Sequence, residues 1–576
     1  MYCRVFACDF DGTGATDGHL APELAAALGT ARAHGFVTLL VTGRVHEEVE
    51  SLCEDLSMFD GVVAENGAVV CLPGIGRTIH LGEPPPADFL GRLRSRGIPF
   101  QAGSVVVGTW ERHAREMLEL VREFAIDGQL IFNRGALMLL PSGVNKATGV
   151  RQALDELRRA EHNMIAFGDA ENDLPLFKMA ALAVAARGSR PQIAAQADEH
   201  LSKPGGAGVA RYLLQVVEAN GVLPTPRRHQ IPLGIALDGS RVTLPGTGLN
   251  VMVTGDPRSG KSWLAGLIAE QLIDHGYRLC VIDPEGDYAS LGQRPRVLQL
   301  GHELPLPDPV VIPRVLRDEP VSIVISLTAL SQREQSTYVH AALRELADCA
   351  DRTGIPQWIV VDEAQYFFHD GQVGADLVRP STNFVFATYR PSLVSDEVFA
   401  AVKAHLVTHT AVEEERYFIS GLLRERGPRD LLPSDALATL SAGRAGLLIE
   451  DDVHAQWVAF TPGRRLTAHA HHARKYVDTW LPETKAFRFL HTPNGGAVAH
   501  NVIEFYTAVQ KVPVASLRHH LANGDFSRWV AEVLGDEMLA RGLRKLEYAA
   551  GTGAAPERAE ILAHVADQYL ISPAED

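Results

Sequence analysis

Twice along this chain, a series of short apolar runs alternates with helical stretches, and each run ends in glycine or in a polar turn. Runs of this length without a polar face are typical of parallel strands that are buried on both sides. The clearest runs are Val5-Phe6-Ala7-Cys8, Val37-Thr38-Leu39-Leu40-Val41 and Met164-Ile165-Ala166-Phe167 in the first series, and Asn250-Val251-Met252-Val253, Leu279-Cys280-Val281-Ile282, Trp358-Ile359-Val360-Val361 and Phe384-Val385-Phe386-Ala387 in the second. The pattern predicts an α/β protein with two doubly wound parallel-sheet domains.

The domain boundaries follow from the length and from one break in the pattern. A chain of 576 residues is long enough for several domains. The alternation is interrupted by a Pro-rich, basic stretch, Leu223-Pro224-Thr225-Pro226-Arg227-Arg228, which indicates a linker. We therefore predict a first domain over 1–215, a linker over 216–228, a second domain over 229–480 and a mainly helical module over 484–576. The apolar stripe that predicts a helix in this module consists of Val502, Phe505, Tyr506 and Val509.

The composition limits the class of protein. Apolar residues make up 46% and charged residues 22% of the chain, which are ordinary values for a folded globular protein. The 54 basic and 70 acidic residues give a formal net charge of −16, so the field of the whole molecule repels polyanions. A nucleic-acid partner is therefore not favoured, although a basic channel inside an oligomer stays open. Neither a membrane-length apolar run nor a signal peptide is recognised, and we expect a cytoplasmic protein without a membrane partner.

Two aspartates follow the first predicted strand directly, in Asp9-Phe10-Asp11-Gly12-Thr13. Ligands of open α/β sheets bind at the carboxyl ends of the strands, and both carboxylates belong to that edge. Two carboxylates so close repel one another unless a cation or a shared proton intervenes. Mg²⁺ is a hard cation that prefers carboxylate oxygens, so the pair indicates a magnesium site. Taken alone, the segment is also compatible with a solvated turn after a strand.

Three later segments complete a set of groups that suits phosphoryl transfer. Thr42-Gly43 offers a hydroxyl and a backbone N–H to phosphate, Lys146 offers a positive charge, and Gly168-Asp169-Ala170-Glu171-Asn172-Asp173 offers further oxygens to a metal. In this order, the residues resemble the haloacid-dehalogenase (HAD) superfamily of phosphatases, in the branch with an α/β cap. The resemblance covers about 1–215, with the cap near 83–140. The short cap is similar to that of the smaller phosphoglycolate and sugar-phosphate phosphatases.

The resemblance implies a role for each residue of this set. Asp9 would be the nucleophile that forms an aspartyl-phosphate, and Asp11 would protonate the leaving oxygen and then deprotonate the hydrolytic water. The remaining implied roles are the phosphoryl contact of Thr42, the charge neutralisation by Lys146, and a Mg²⁺ site made by Asp9, the carbonyl of Asp11, Asp169 and Asp173. The implied function is a Mg²⁺-dependent phosphatase for a small phosphorylated metabolite. A domain that binds in the pocket without catalysis is the alternative.

A phosphate-binding loop lies near the start of the second domain. The segment Gly255-Asp256-Pro257-Arg258-Ser259-Gly260-Lys261-Ser262 fits the pattern GxxxxGK[ST] between an apolar strand and a helical run. Such a loop cradles phosphates with its backbone N–H groups, so Gly255, Ser259 and Gly260 shape the cradle while Lys261 reaches the β- and γ-phosphates and Ser262 the Mg²⁺. Further on, Asp362-Glu363 ends a strand; Asp362 would orient the Mg²⁺ and Glu363 would polarise the attacking water. The set predicts ATP binding.

With these segments, Asp283-Pro284-Glu285-Gly286-Asp287 and Ala387-Thr388-Tyr389-Arg390-Pro391 resemble the HerA/FtsK family of ATPases over about 229–480, with the end of the module at 465–476. The resemblance implies a homo-oligomer, in the form of a ring, whose nucleotide site assembles or regulates the phosphatase. Tyr389 stands where the family usually has a glutamine that senses the γ-phosphate, and the first domain replaces the β-barrel of HerA. There are two alternatives: a nucleotide-gated regulatory oligomer with negligible ATP turnover, and a DNA-translocating motor.

Overall fold

The computed structural model describes residues 1–569, with the exception of 17, 53–54, 134, 227, 258, 302–303, 370–374, 411, 427–436, 438–439, 442, 451–454, 468–480, 482, 493–496, 535 and 552–557. Most of the segment 465–476, which carries part of the resemblance to HerA-like ATPases, lies outside the described residues. In the part that is described, no helix combines the length and the apolar character needed to cross a membrane.

The amino-terminal unit contains two sheets and a small hairpin. Its strands are β1 (Val5–Asp9), β2 (Ala15–Thr16), β3 (His19–Leu20), β4 (Val37–Val41), β5 (Gly61–Ala64), β6 (Val69–Leu72), β7 (Arg77–His80), β8 (Gln101–Ala102), β9 (Val107–Trp110), β10 (Gly128–Asn133), β11 (Ala136–Pro141), β12 (Met164–Gly168), β13 (Leu182–Ala185) and β14 (Glu199–His200). Its helices are α1 (Pro22–Ala33), α2 (His46–Leu52), α3 (Ala87–Ser95), α4 (Ala114–Glu123), α5 (Lys146–Glu156), α6 (Leu174–Met179), α7 (Pro191–Ala194) and α8 (Gly205–Glu218).

The larger sheet of this unit is buried on both faces. Its strand order is β14-β13-β12-β1-β4-β5-β6-β7, and all neighbours from β14 to β5 are parallel. Because side chains alternate along a strand, Phe6 and Cys8 of β1 join one core while Val5 and Ala7 join the other. Continuous apolar runs therefore predict these strands, and the structure confirms the three runs of the first series.

A second, antiparallel sheet of order β10-β11-β9-β8 forms a cap above the carboxyl edge of the first sheet. Helices α3 and α4 cover one face of it through a separate apolar core that includes Phe89, Leu93, Met117 and Leu120. At the other end of the unit, α8 extends to Glu218, three residues into the segment that the sequence assigns to the linker.

The central unit is built on one large mixed sheet. Its strands are β15 (Gln230–Ala236), β16 (Arg241–Pro245), β17 (Val251–Thr254), β18 (Leu279–Asp283), β19 (Val297–Leu300), β20 (Ser322–Ser326), β21 (Trp358–Val361), β22 (Asn383–Thr388), β23 (Ala404–Val407), β24 (Ala445–Glu450) and β25 (Ala455–Pro462). Its helices are α9 (Lys261–Asp274), α10 (Val311–Asp318), α11 (Gln332–Thr353), α12 (Asp396–Ala401) and α13 (Glu413–Arg426).

The strand order of this sheet is β16-β15-β25-β24-β23-β17-β22-β21-β18-β20-β19. The strands from β23 to β19 are parallel, and β24, β25, β15 and β16 add an antiparallel edge. The four apolar runs of the second series lie in β17, β18, β21 and β22, as predicted. The prediction of two doubly wound α/β domains is thus confirmed.

The carboxyl-terminal unit is mainly helical, as predicted. It consists of β26 (Phe487–Arg488), β27 (Val498–Ala499), α14 (Val502–Lys511), α15 (Val514–Asn523), α16 (Asp525–Trp529), α17 (Glu537–Gly551) and α18 (Arg558–Tyr569). The predicted stripe of α14 is buried, and Phe487, Phe505, Phe526 and Trp529 form an aromatic cluster within its core.

The amino-terminal and central units contact one another directly. Arg4 donates a hydrogen bond from Nε to the backbone carbonyl of Asp351 at 3.0 Å, and the hydroxyl of Tyr2 donates to the same oxygen. Arg158 forms an ion pair with Asp318 at 2.6 Å between the two units. These contacts place the two sheets next to each other with polar groups between them.

Candidate functional site

The first candidate site lies where β1 ends, between β4 and β12. Asp9 is the last residue of β1, and it is buried together with Lys146 and Asp173. Lys146 donates from Nζ to Oδ1 of Asp9 at 2.5 Å and to Oδ1 of Asp173 at 2.6 Å. The structure therefore brings three of the predicted site residues into direct contact.

The start of α5 fixes the position of Lys146. Asn145 is the N-cap residue, and its Oδ1 accepts hydrogen bonds from the backbone N–H groups of Ala147 and Thr148. The hydroxyl of Thr148 accepts in turn from the N–H of Asn145, which completes a capping box. Lys146 is thus the first residue of a helix whose start is held by its own cap, and its side chain extends to Asp9.

Burial and charge shift the acidity of this group of side chains. Burial, together with the negative charge of Asp173, raises the pKa of Asp9 to about 7. Burial alone would lower the pKa of Lys146. The negative charges of Asp173 and Asp9 have the larger effect together, so the pKa of Lys146 is raised. Lys146 therefore stays protonated, and the pocket holds more carboxylate than one lysine neutralises.

Carboxylate oxygens of Asp9, Asp169 and Asp173 all lie within 4.8 Å of one another, and all three residues are buried. The other oxygen of Asp173 accepts the backbone N–H groups of Asp169 and Ala170 at 2.9 and 3.0 Å, which fixes the loop after β12. Thr13 donates its hydroxyl to Asp169 at 3.3 Å. Three buried carboxylates with one lysine are a donor set that fits a hard divalent cation such as Mg²⁺.

Asp11 has a different environment from Asp9. Its carboxylate is 46% exposed and receives two hydrogen bonds from Arg44, at 2.8 and 2.7 Å. Arg44 also contacts Glu48 at 2.5 Å. Sequence reasoning missed Arg44, although its place directly after Thr42-Gly43 could have identified it. Asp11 is therefore the more exposed of the two aspartates and lines the cavity that opens toward the cap.

Thr42 is buried directly after β4. It contacts the turn at 65–67, which lies between β5 and β6 and is hydrogen-bonded to the cap. Its hydroxyl accepts the backbone N–H of Arg44 at 3.2 Å. In the turn, the carboxylate of Glu65 accepts backbone N–H groups from 104, 105 and 106 of the cap at 2.8 to 2.9 Å. Sequence reasoning missed this tether, because Glu65 and the cap segment carry no common motif.

A cavity of about 460 Å³ opens from Asp9 and Asp11 toward the cap. The polar side chains that line it include Arg44, Gln101, Asn133 and Asn172, and the apolar ones include Phe100, Val106, Trp110 and Met138. The core supplies the charged end of this cavity and the cap supplies most of the remaining wall. The charged end contains the carboxylates of Asp9, Asp11 and Glu48 beside the guanidinium of Arg44, and the cavity has room for a small molecule.

The second candidate site lies where β17 and β21 end. Lys261 donates from Nζ to Oδ1 of Asp362 at 2.9 Å and to Oε1 of Glu363 at 3.2 Å, and all three residues are buried. The hydroxyl of Ser262 lies 3.5 Å from the same Nζ. The structure thus brings together Lys261, Ser262, Asp362 and Glu363, as the sequence analysis expects of a nucleotide site.

Glycine is required at two positions of the phosphate loop. Gly255 has φ 154°, and a Cβ there would meet the hydroxyl of Thr408 at 1.8 Å. Gly260 has φ 98° immediately before α9, a region that favours glycine. Ser259 shares a hydrogen bond of 2.5 Å with Thr408, which ties the loop to the end of β23.

Gln365 is a further residue of this site that sequence reasoning missed. Its Nε2 donates to Oε2 of Glu363 at 2.8 Å, and its Oε1 accepts the hydroxyl of Thr388 at 2.6 Å. Gln365 thereby connects the acidic end of β21 to the end of β22, next to Tyr389. Its position two residues after Glu363 was the sequence feature that could have identified it as a site residue.

The fold is that of an α/β protein with two parallel-sheet domains, and each domain carries a candidate site at the carboxyl ends of its strands. Residues 6–80 and 112–213 match the family model described as haloacid dehalogenase-like hydrolase, and the chain belongs to this family of hydrolases. Residues 253–348 match the model described as the central domain of helicase HerA, so the chain also carries a HerA-like domain. Both resemblances expected from the sequence are confirmed.

The curated relatives match the amino-terminal third of the chain. A phosphoglycolate phosphatase of Natronomonas pharaonis is 30% identical over 184 residues, which are 30% of this chain and 80% of that protein. A phosphoglycolate phosphatase of Sulfurisphaera tokodaii is 28% identical over 193 residues, 33% of this chain and 82% of that protein. Among solved structures, a haloacid dehalogenase-like hydrolase from Bacteroides thetaiotaomicron is 16% identical with a TM-score of 0.33, over 37% of this chain and 99% of that one.

Proposed function

We propose that the amino-terminal domain is a Mg²⁺-dependent phosphatase that hydrolyses a small phosphate monoester through an aspartyl-phosphate. The observation that carries the proposal is the buried contact of Lys146 with Asp9 and Asp173 at the bottom of a cavity of about 460 Å³. A buried nucleophilic carboxylate next to a fixed cation is the arrangement that attack on a phosphate ester requires.

The steps are assigned to residues as follows. A carboxylate oxygen of Asp9 attacks phosphorus, and the bond from phosphorus to the ester oxygen breaks. Asp11 gives its proton to the departing oxygen, then takes a proton from the water that attacks the aspartyl-phosphate and releases phosphate. Lys146 neutralises charge on the transferred group, and Thr42 holds it with its hydroxyl. The position of Asp11 on the wall of the cavity supports its assignment as the acid and base, and its two hydrogen bonds from Arg44 must open before it can carry a proton.

Mg²⁺ would be held by Asp9, Asp169 and Asp173 with the backbone carbonyl of Asp11. When bound, it supplies positive charge that allows the phosphate dianion to approach a cluster of carboxylates. The support is the donor set itself, because three buried carboxylates face one another with one lysine between two of them.

For the substrate, we propose a small phosphorylated carboxylic acid of the phosphoglycolate kind. Relatives at 28–30% identity carry the name phosphoglycolate phosphatase. Arg44 lines the cavity, and a second anionic group of the substrate would take the place of the Asp11 carboxylate on its guanidinium.

The test is a phosphatase screen over phosphorylated metabolites with the full chain, with and without ATP, in Mg²⁺ or in EDTA. We expect release of phosphate in Mg²⁺, fastest for small carboxylated esters. Arg44→Lys keeps a positive charge but loses the forked contact, so it should raise KM for carboxylated esters more than for p-nitrophenyl phosphate. Absence of turnover with every ester would reject the phosphatase assignment.

For the HerA-like domain, we propose ATP binding with Lys261 and Ser262 on the phosphates and Mg²⁺, and Asp362 and Glu363 on the metal and the water. We further propose that this domain assembles the chain into a ring that regulates the phosphatase. The γ-phosphate requires a further cation, commonly an arginine of a neighbouring subunit, and repetition of one heterologous contact closes a ring. Light scattering with and without ATP tests this, and a monomer in both conditions would reject it.

A second candidate function is a nucleotide-gated switch with negligible ATP turnover. Tyr389 follows Thr388, whose hydroxyl contacts Gln365, and it stands where the family usually has a glutamine, which favours slow hydrolysis. ATP would then act by binding, because it must draw Lys261 away from Asp362 and Glu363. Single-turnover hydrolysis separates the two candidates. A DNA-translocating motor is disfavoured by the net charge of −16, and ATP turnover stimulated by DNA would revive it.

A further inference from the structure

A cleft separates part of the amino-terminal unit from the central unit. It has a volume of about 260 Å³ and lies between the second half of α5 with the loop that follows it and the starts of β18, β19 and β20. Both candidate sites described above lie at carboxyl ends of strands, so this cleft is a separate place in the molecule. We call it the interdomain cleft, and its charged side chains are Arg151, Asp155, Arg159, Glu161, Arg278 and Arg296.

The interdomain cleft is positively charged in a chain that is acidic as a whole. Four arginines face two carboxylates there, whereas the formal net charge of the chain is −16. Both units contribute arginines, so folding brings the positive charges together against their repulsion. An anion between the two units would remove this repulsion.

Three of these arginines, Arg159, Arg278 and Arg296, form no ion pair with a carboxylate among the residues that the structure describes. Arg151 pairs with Glu161 at 3.0 Å, but in the part of the chain that the structure describes neither Arg278 nor Arg296 forms an ion pair within 4.0 Å. Arg278 donates from Nη1 to the backbone carbonyl of Leu316 at 3.1 Å. The guanidinium of Arg278 is therefore held in place without its charge being neutralised by contact, whereas Arg296 is exposed.

Burial disfavours the positive charge of two of the arginines, Arg159 and Arg278. Burial lowers the pKa of Arg278 despite the nearby charge of Asp155, with Arg296 adding to the effect. Asp155 lies within electrostatic range of Arg278, Arg151 and Arg296 but pairs with none of them among the described contacts. The Nε of Arg159 is buried without a hydrogen-bond partner among the described residues. The Nε of Arg159 is therefore a buried donor without an acceptor among the described residues, and the charge of Arg278 is not balanced by a contacting carboxylate.

We propose that the interdomain cleft is a binding site for a phosphate group, either as inorganic phosphate or as part of a small phosphorylated compound. Arg278 and Arg296 would hold its oxygens, because guanidinium groups match phosphate geometry with two donors each. The volume admits a phosphate with a few further atoms but lies below the roughly 300–1,000 Å³ of pockets for larger ligands. This volume suits a small phosphorylated compound better than a nucleotide.

The test measures the binding of radiolabelled orthophosphate to the full chain by equilibrium dialysis, in EDTA and without nucleotide. We expect Arg296→Gln to weaken phosphate binding about tenfold, the effect of one lost charge-assisted contact. Asp155→Asn should instead tighten it about threefold, because it removes the carboxylate that faces the bound anion. A merely structural role of these residues would not move the affinity in opposite directions.

Arg115→Gln serves as the matched control, since Arg115 is an exposed arginine of α4 outside the interdomain cleft. Arg278→Lys keeps the charge and should retain part of the affinity. If Arg278→Gln fails to fold, Arg296→Gln decides, because Arg296 is exposed. Phosphate-ester turnover and ATP binding, measured in the same variants, report separately on the two proposed active sites. Isotherms that are identical for wild type, Arg296→Gln and Asp155→Asn would overturn the proposal, with phosphate bound at the active sites only.

Discussion

Gln357 donates a hydrogen bond from Nε2 to Oδ1 of Asn163 at 2.9 Å, and both side chains are buried between the amino-terminal and central units. Asn163 directly precedes β12, whose carboxyl end leads to Asp169. Gln357 directly precedes β21, whose carboxyl end leads to Asp362. Strands β12 and β21 lead to the acidic residues of the two candidate sites. The residues that directly precede these strands are therefore hydrogen-bonded to each other.

The first prediction concerns this contact. Gln357→Ala should lower the free energy of unfolding by about 2–4 kcal/mol, because it leaves Oδ1 of Asn163 and the backbone N–H of Arg278 without their partner. Urea denaturation measures the loss. Arg77→Ala, which removes an exposed ion pair with Glu156, is the control and should cost less than about 1 kcal/mol. Equal midpoints for Gln357→Ala and wild type would contradict the prediction.

The second prediction concerns the nucleophile. Asp9→Asn should lower kcat for phosphate esters by at least about 10⁴-fold, because the amide cannot form the aspartyl-phosphate. Steady-state release of phosphate measures this. Lys261→Ala is the control and should retain basal phosphatase turnover, since Lys261 belongs to the other site. Undiminished turnover in Asp9→Asn would exclude Asp9 as the nucleophile.

The third prediction concerns Lys146. Lys146→Met should destabilise the metal-free protein by about 3–5 kcal/mol, because the carboxylates of Asp9 and Asp173 would remain buried without their cation. Added Mg²⁺ should restore part of this loss, since a metal replaces the missing charge. Urea denaturation in EDTA and in Mg²⁺ gives both values. The prediction fails if the variant is as stable as wild type in EDTA.

The fourth prediction concerns the pH dependence of metal binding. The pKa of Asp9 is raised to about 7, above the value of about 4 in an unfolded chain, so Asp9 is protonated below pH 7 in the metal-free protein. Because Mg²⁺ must displace this proton, its affinity should fall by up to about tenfold per pH unit as the pH drops from 7 to 5, and should level off above pH 8. Calorimetric titration at several pH values measures this; a constant affinity between pH 5 and 8 would contradict it.

The fifth prediction concerns the nucleotide site. Lys261→Ala should weaken ATP binding about tenfold or more, because the buried ammonium group no longer meets the phosphates. Glu363→Gln should keep the affinity but stop whatever hydrolysis occurs, since a neutral amide does not polarise water. Calorimetry and phosphate release measure the two effects. Arg77→Gln serves as the surface control, and equal ATP affinity in Lys261→Ala and wild type would refute the assignment.

The sequence by itself determined the strands and the site motifs, because their signals are local. Strands buried on both faces need uninterrupted apolar runs, and a phosphate loop needs its glycines, lysine and serine at fixed spacing. Asp9, Lys146 and Lys261 could therefore be located without a structure. The start of the linker was set at 216, whereas α8 continues to Glu218 and is followed by Asn220 and Gly221, residues that commonly end a helix.

Only the tertiary structure decided the contacts between residues far apart in the chain. Arg44 reaches Asp11 from 33 positions away, and Gln357 reaches Asn163 from 194 positions away. The interdomain cleft likewise depends on how two sheets pack, since no local pattern brings Arg151 of one unit near Arg278 of the other. Such contacts arise from the geometry of packing, which is fixed by many side chains at once and not by the spacing of a few.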